Sequence, residues 1–351
     1  MSTDISQSIQ QQVLDAFENS SALYIVGGNS KSFYGRTVSA QPLNVAQHHG
    51  ILNYEPTELV ITVRAGTPLD EIEKTLADHG QMLPFEPPAF SSGATIGGTI
   101  ACNFSGPRRA YTGAARDYLL GCKIINGKGE ILSFGGEVMK NVAGYDVSRL
   151  MAGAMGTLGV LLEVSLKVLP QPETERTQLL HCSTTEALEK IHALSQTPLP
   201  ISASCFTDSQ LYIRLSGASK AVNAAIDSIG GDSLENADQY WRDVKEHKLD
   251  FFNAEKPLWR LSMASDIAPL PLQGETLYEW GGALRWLRSN ESAELIQNSL
   301  ATIDGHASLF RHQQHGMFQP LTPGLLRLHK NLKAAFDPKN ILNPGKLYPE
   351  L

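Results

Sequence analysis

The chain has 351 residues, 42% of them apolar and 19% charged, with a formal net charge of −7. Such a composition belongs to a folded soluble protein of about two domains and excludes a disordered or fibrous chain. The acidic balance removes the positive field that drives nucleic-acid binding, no apolar run approaches the ~18 residues of a membrane span, and the opening MSTDISQSIQQQVLDAF lacks the basic and apolar regions of a secretory signal.

In chain order, residues 5–19 form a polar amphipathic helix, followed by an apolar strand at 22–26 that ends in Gly27-Gly28. The β-branched run LVITVRA (59–65) is a strand, and Thr67-Pro68 opens a helix to residue 79. Strands at 119–125 and 130–134 bracket Asn126-Gly127-Lys128-Gly129, the residues of a hairpin turn. SRLMAG is helix-like, and residues 159–169 alternate as a half-buried strand. The Pro-rich stretch LPQPET (169–174) marks a domain boundary.

Beyond it, strands at 177–182, 259–263, 282–286 and 307–311, with a strand or hairpin at 205–215, alternate with helices at 185–195, 218–229, 236–249 and 292–301. Two βαβ-like halves on an antiparallel sheet suit a ferredoxin-like α+β lobe. A last helix at 325–336 stops at Asp337-Pro338, and FDPKNILNPGKLY follows as an ordered strap. Cys102, Cys122, Cys182 and Cys205 form no CxxC, which disfavours a zinc ribbon and a Cys-ligated iron–sulfur cluster and leaves four reduced thiols.

Three segments carry chemistry. In YIVGGNSKSFYG (24–35) a strand runs into two glycines and small polar residues, which suits either a plain turn or a backbone cradle for an anion; the spacing is neither a P-loop nor GxGxxG. The stretch 91–121 mixes Gly93, Gly97, Gly98, Gly106 and Gly113 with short hydroxyls and with Arg108, Arg109 and Arg116. Such a stretch can serve a flat, multiply charged ligand. In 135–164, Lys140, Asn141, Gly144, Tyr145 and Asp146 precede a glycine every third residue, at 153, 156 and 159.

Taken together, TIGGTIACNFSGPRR, YTGAARDYLLG, KNVAGYDVSRL and GTLGV resemble the vanillyl-alcohol oxidase, or PCMH-type, flavoproteins, and within them the FAD-binding E subunits of bacterial glycolate oxidase (glycolate dehydrogenase) complexes. The likeness runs from residue 24 to about 170 and returns at GHASLFRH and FDPKNILNPGKLY. It implies an α+β fold: a PCMH-type FAD-binding domain of two α+β subdomains (1–172), a ferredoxin-like cap (173–311) and a C-terminal segment returning to the FAD domain (312–351). It further implies FAD held by Gly27, Gly28, Asn29, Ser30, Lys31 and Ser32 at the pyrophosphate. Gly93, Ala94, Thr95, Gly97, Gly98 and Asn103 would then lie along pyrophosphate and isoalloxazine. Support would come from Arg108, Gly113 and Arg116, closure from Asn141, Gly144, Tyr145 and Asp146, and adenine contact from Gly159 and Val160. Asn343 and Lys346 would return at the flavin end.

Relatives that attach FAD covalently use a His or Cys where this chain has Asn29 and Gly93-Ala94, so non-covalent FAD is expected. The His-x-Gly-Asp-Gly-Asn-x-His segment of metal-dependent relatives is reduced here to His306 in GHASLFRH, so no metal is expected; His312 and His315 in RHQQH have no neighbouring carboxylate. Substrate-side candidates are Arg260, Arg285, His306 and Arg311, residues able to grip a carboxylate. The activity implied is hydride transfer from glycolate, giving glyoxylate, to flavin, with electrons passed to a partner iron–sulfur subunit beside a second FAD-containing catalytic subunit. The alternatives are a self-sufficient D-lactate-type dehydrogenase and a non-catalytic assembly subunit. The expected location is cytoplasmic, reaching the inner face of the membrane only through the complex, with no direct insertion.

Overall fold

A computed structural model describes residues 2–136, 146–253, 255–311 and 318–351. The chain divides into two units: residues 1–104, 114–171 and 320–351 form the first, and 105–113 with 172–319 form the second.

The first unit is built on a five-stranded antiparallel sheet in the spatial order Ile51–Glu55, Val60–Arg64, Val160–Lys167, Leu119–Ile125, Ile131–Gly135. The runs VITV and VLLEVSL are buried on nearly every residue, so the second is not the half-buried alternating strand its sequence suggested: it lies mid-sheet, between Val60–Arg64 and Leu119–Ile125. Asn126 closes the expected hairpin, its Oδ1 accepting from the N–H of Lys128 (2.9 Å) and Glu130 (3.0 Å). The helices Leu69–Ala77 and Ile96–Cys102 pack their apolar residues, Leu69, Ile72, Leu76, Ile96 and Ile100, into one core with Ile61, Val63 and Val164.

Thr67 does not cap the helix that follows it. Its hydroxyl donates to the Arg64 carbonyl (2.7 Å) and accepts from the Gly50 N–H (2.9 Å), tying two loops together. Leu169–Pro170, read from sequence as part of a structureless boundary, pairs with Gln81–Met82.

A second small core joins helix Ser6–Asn19, the parallel pair Leu23–Val26 and Gln41–Asn44, and Ile341 and Leu342 of the C-terminal strap. The strap runs alongside the first of these strands: Leu23 N–H donates to the Ile341 carbonyl (2.7 Å) and Asn343 N–H to the Leu23 carbonyl (3.0 Å). It is held from beneath by a buried ion pair. Lys333, on helix Pro323–Phe336, donates to Asp337 Oδ2 (2.7 Å) and to the carbonyls of Thr157 (2.8 Å) and Leu342 (2.7 Å). Asp337 in turn accepts from the N–H groups of Ile341 (3.0 Å) and Leu342 (2.7 Å). Burial lowers the Lys333 pKa, and the charge and hydrogen bond of Asp337 oppose that shift.

The second unit is an eight-stranded antiparallel sheet ordered Asp232–Ser233, Thr174–His181, Gln210–Gly217, Ile201–Thr207, Glu275–Glu279, Leu284–Arg288, Leu258–Ser262, His306–Arg311. Helices Thr184–Ser195 and Ser219–Ile229 cover one half and Ala293–Ala301 the other. Ser183 and Glu186 form a reciprocal cap at the first of these helices. Strand Glu275–Glu279 went unread in the sequence. It joins the two halves, pairing with Ile201–Thr207 on one side and Leu284–Arg288 on the other.

Removing one partner of a buried ion pair leaves the other uncompensated. Asp337→Ala and Lys333→Met are each expected to lower stability by about 3–5 kcal/mol, read as a fall in urea midpoint. A loss below about 0.5 kcal/mol, the size of a surface substitution, would contradict the role given to this pair.

Candidate functional site

Leu23–Val26 runs directly into Gly27-Gly28, and sterics explain both glycines. A β-carbon on Gly28 would collide with the Gly93 carbonyl, and one on Gly27 would lie 2.6 Å from Thr95 Oγ1. The first glycine turn and the second glycine segment therefore lie against one another. Past Gly28 the chain bends sharply, with Asn29 at φ +56°, Ser32 N–H reaching the Asn29 carbonyl (3.3 Å) and Tyr34 N–H the Lys31 carbonyl (3.0 Å). Among the described residues, the N–H groups of Gly28, Asn29 and Ser30 donate to no protein acceptor. Gly28 and Ser30 are half-buried and Asn29 exposed, so three idle donors in succession offer an accessible place for an anionic acceptor.

The second segment contains the helix Ile96–Cys102, capped by Thr95, whose Oγ1 accepts from Gly98 N–H (3.3 Å). Its two glycines have different work. A β-carbon on Gly97 would meet both Cβ and the carbonyl oxygen of Ala65 at 2.7 Å, so Gly97 lets the helix approach the strand end. A β-carbon on Gly98 would meet only Thr95 Oγ1, at 3.3 Å, and otherwise open space.

That space is a cleft of about 890 Å³, the open solvent at its mouth included. Residues 24–32, Thr95, Gly97, Gly98, Ala101 and Cys102 line it with Val45, Ala65, Met151, 154–156, Gly159, Leu161, Asn343 and Lys346. Two lysines enter it. Lys31 is 7% exposed and donates to Ser30 Oγ (3.2 Å) and the Ala89 carbonyl (3.4 Å). Lys346 is 6% exposed, 5.9 Å from the Tyr24 ring centre, and its ammonium has no hydrogen bond or ion pair with a described residue.

None of the described lining residues is acidic. Burial lowers the Lys346 pKa, with Cys102 opposing. The Cys102 thiol is pushed up to about 11 by burial, against the pull of both lysine charges, so it stays protonated at neutral pH. The Lys346 ammonium, buried and without a hydrogen bond or ion pair to a described residue, is costly, and an anion in the cleft removes that cost.

Asn343 fastens the site. Its Oδ1 accepts from Ile25 N–H (2.8 Å) and its Nδ2 donates to the Met155 carbonyl (2.7 Å), joining the strap to the first strand and to the 153–156 loop. A β-carbon on Gly156 would lie 2.8 Å from that amide.

The cleft thus brings together twelve of the residues proposed from sequence: Gly27, Gly28, Asn29, Ser30, Lys31, Ser32, Thr95, Gly97, Gly98, Gly159, Asn343 and Lys346. Gly93 and Ala94 support it from behind the glycine turn rather than lining it. Asn103 turns its Oδ1 to the Arg116 N–H (3.1 Å), Arg116 is exposed, Asp146 caps the helix Val147–Met151, and Val160 is in the core. Arg108 and Gly113 belong to the second unit, where Arg108 is buried in an ion pair with Glu175 and bonds Ser216 (3.3 Å). Asn141, Gly144 and Tyr145 lie outside the described residues, as do His312 and His315. Among the described residues, no group of three or more His, Cys, Asp or Glu is placed to hold a metal ion.

Of the substrate-side candidates, Arg285 is committed to structure, its guanidinium donating to the carbonyls of Gly282 (3.2 Å), Ala268 (2.8 Å) and Ile267. Arg260, His306 and Arg311 all stand on the adjoining strands Leu258–Ser262 and His306–Arg311 of the second unit. Tyr24 and Cys102 were not foreseen as lining residues; their positions, directly before the first glycines and after the second, were the available signal.

Residues 6–135 match the family model of an FAD binding domain, and residues 291–347 that of the C-terminal domain of FAD linked oxidases. The chain is 48% identical over 348 residues, 99% of both chains, to glycolate oxidase subunit GlcE of Escherichia coli (strain K12). Over 147 residues it is 35% identical to glycolate oxidase subunit GlcD of Bacillus subtilis (strain 168), spanning 42% of this chain and 30% of that one. Its fold matches p-cresol methylhydroxylase with substrate bound at a TM-score of 0.73 and 13% identity, over 99% of this chain and 88% of that one. The first unit's cleft fits FAD by its own chemistry: two lysine charges and three idle N–H groups would meet the diphosphate, and the bare Gly98 wall leaves room beside it.

Gly98→Trp is expected to purify without the flavin absorbance of the parent while unfolding cooperatively near the parent temperature. Gly97→Ala is expected to cost roughly 1–3 kcal/mol through its clash with Ala65. Full flavin content in Gly98→Trp would contradict this placement of the cofactor.

Proposed function

The chain belongs to the FAD-linked oxidases, the family of the glycolate oxidase subunit GlcE, and on that premise we propose that it is the FAD-bearing subunit of an enzyme oxidising a small 2-hydroxy acid, glycolate in the first instance. The observation that carries this reading is the end-to-end identity of 48% with the E. coli subunit, joined to a cleft whose charge and bare walls suit FAD. When bound, FAD supplies the acceptor for a hydride from the substrate α-carbon. The chain's own work is to bind and orient it: Lys31, Lys346 and the Gly28, Asn29 and Ser30 amides would hold its diphosphate, and Asn343 keeps Lys346 in reach. The Cys102 thiol, protonated at neutral pH, is a poor nucleophile, and none of the described lining residues is a histidine, which supports non-covalent attachment.

The four cysteines are all free and none is spaced as a cluster ligand, so electrons leave through another protein, in this reading an iron–sulfur subunit accompanied by a second flavoprotein. None of the described helices is long and apolar enough to cross a membrane. A cytoplasmic site of action, with any membrane contact made by partners, accords with that.

Two measurements test the proposal. Acid precipitation of the purified yellow protein is expected to leave all flavin in the supernatant, and flavin in the pellet would refute non-covalent binding. Anaerobic glycolate is expected to bleach the flavin when the partner subunits are present. Bleaching of the isolated chain at the same rate would favour a self-sufficient dehydrogenase, and full complex activity from a flavin-free chain would favour an assembly role.

A further inference from the structure

Helix Pro323–Phe336 belongs to the first unit and ends at the ion pair that supports the strap. Of its 14 residues, all of them described, only Lys333 is buried. A helix of this length is marginal on its own in water and draws its stability from an apolar face packed against something. Leu325, Leu328, Leu332 and Phe336, spaced three, four and four residues apart, form one such face. Half of it is covered: Leu332 and Phe336 pack against the main core, whereas Leu325 is 47% and Leu328 56% exposed. A single exposed leucine is ordinary. Two that continue a packed stripe past the edge of the core leave an apolar face uncovered among the described residues.

The charge of the helix is one-sided. Arg327 and Lys330 are exposed, and no Asp or Glu stands between Asp304 and Asp337. Asp337 itself is buried against Lys333. At about 100° per residue, Asn331 and then Arg327 follow Leu328 around the exposed side, so the bare leucines adjoin a cation. This stretch is basic in a chain whose net charge is −7.

Three kinds of surface could cover such a face. A second copy would set the same cations opposite one another in a two-fold contact. An anionic lipid surface would gain two leucines against the repulsion of an acidic chain. A protein surface with an apolar centre and carboxylates at its rim meets both features. Of the partners in the functional reading, the one that takes electrons has to sit on the flavin-bearing unit, and this helix runs straight into the strap whose Asn343 and Lys346 line the cleft. We propose that Leu325 and Leu328, with Arg327 and Lys330, form the docking surface for the iron–sulfur subunit, through an acid-rimmed apolar face of that partner. The inference rests on the functional reading and adds to it the place where the electron acceptor binds.

The test uses the tagged full chain co-expressed with the iron–sulfur and second flavoprotein subunits, reading iron retained per chain. Leu325→Glu/Leu328→Glu is expected to keep its flavin and its cooperative unfolding while retaining about tenfold less iron. Arg327→Glu/Lys330→Glu, which leaves the leucines in place and carries the comparison should the first variant not fold, is expected to lose iron as well, and the parent's retention is expected to fall as salt is raised. Leu295→Glu, at a leucine 45% exposed on helix Ala293–Ala301, is expected to match the parent. Parent-like retention in both double variants, or the same loss in Leu295→Glu, would overturn this surface and leave the functional reading standing. Loss of the second flavoprotein with iron retained would overturn the choice of partner. Flotation of the parent with phosphatidylglycerol vesicles, or a parent dimer that Leu325→Glu/Leu328→Glu dissociates, would give the face to lipid or to a second copy instead. A parent chain that retains neither subunit would overturn the functional reading and this surface with it.

Discussion

The buried Lys346, in a cleft whose described lining holds no carboxylate, is the constraint around which the first unit is arranged. A charge removed from water and left without a partner costs several kcal/mol, at about the scale of a domain's whole stability. The chain nevertheless spends much structure on keeping Lys346 in place. Asn343 clamps the strap to strand and loop, and the Lys333–Asp337 pair holds the strap's start from below. That arrangement makes sense for a molecule completed by an anionic ligand, whose charge offsets what the apoprotein leaves exposed inside itself.

Glycine serves the same end in two distinguishable ways. Gly27, Gly28 and Gly97 are there because backbone or a hydroxyl occupies the space a β-carbon would take, so they let the cradle's parts come together. Gly98 meets almost nothing and keeps the cleft's wall bare. The turn after Leu23–Val26, equally readable in sequence as a plain turn or an anion cradle, is both: its glycines answer packing, and its following amides are the idle donors.

Much of this was legible before any coordinates. Val60–Arg64 was readable as a continuous β-branched run and the Asn126 hairpin because its turn residues act locally, while Val160–Lys167 was readable as a strand but not as one buried on nearly every residue. What escaped reading was whatever depends on distant partners. Helix Ile96–Cys102 hides behind Gly97 and Gly98, poor helix formers tolerated because Ala65 demands one of them and the cleft the other. Strand Gln41–Asn44 contains a proline and survives as one side of a two-stranded parallel pair. Arg108 and Arg109 are neighbours with the same side chain, and only the fold sends one into an ion pair with Glu175 and the other onto Trp280. Asp337 read as a helix stop and proved to be the buried partner of Lys333.

The central claim is that the cleft recognises a diphosphate through buried charge, and the most direct measurement compares ligands that share the flavin ring and differ in that group. Flavin-fluorescence titrations of apoprotein with FAD and with riboflavin, on the parent and on Lys346→Met, make the comparison. The account predicts that the parent prefers FAD by ~100-fold or more and that the variant loses most of this preference while binding riboflavin unchanged. Equal affinity of the parent for both ligands, or an undiminished FAD preference in Lys346→Met, would contradict it.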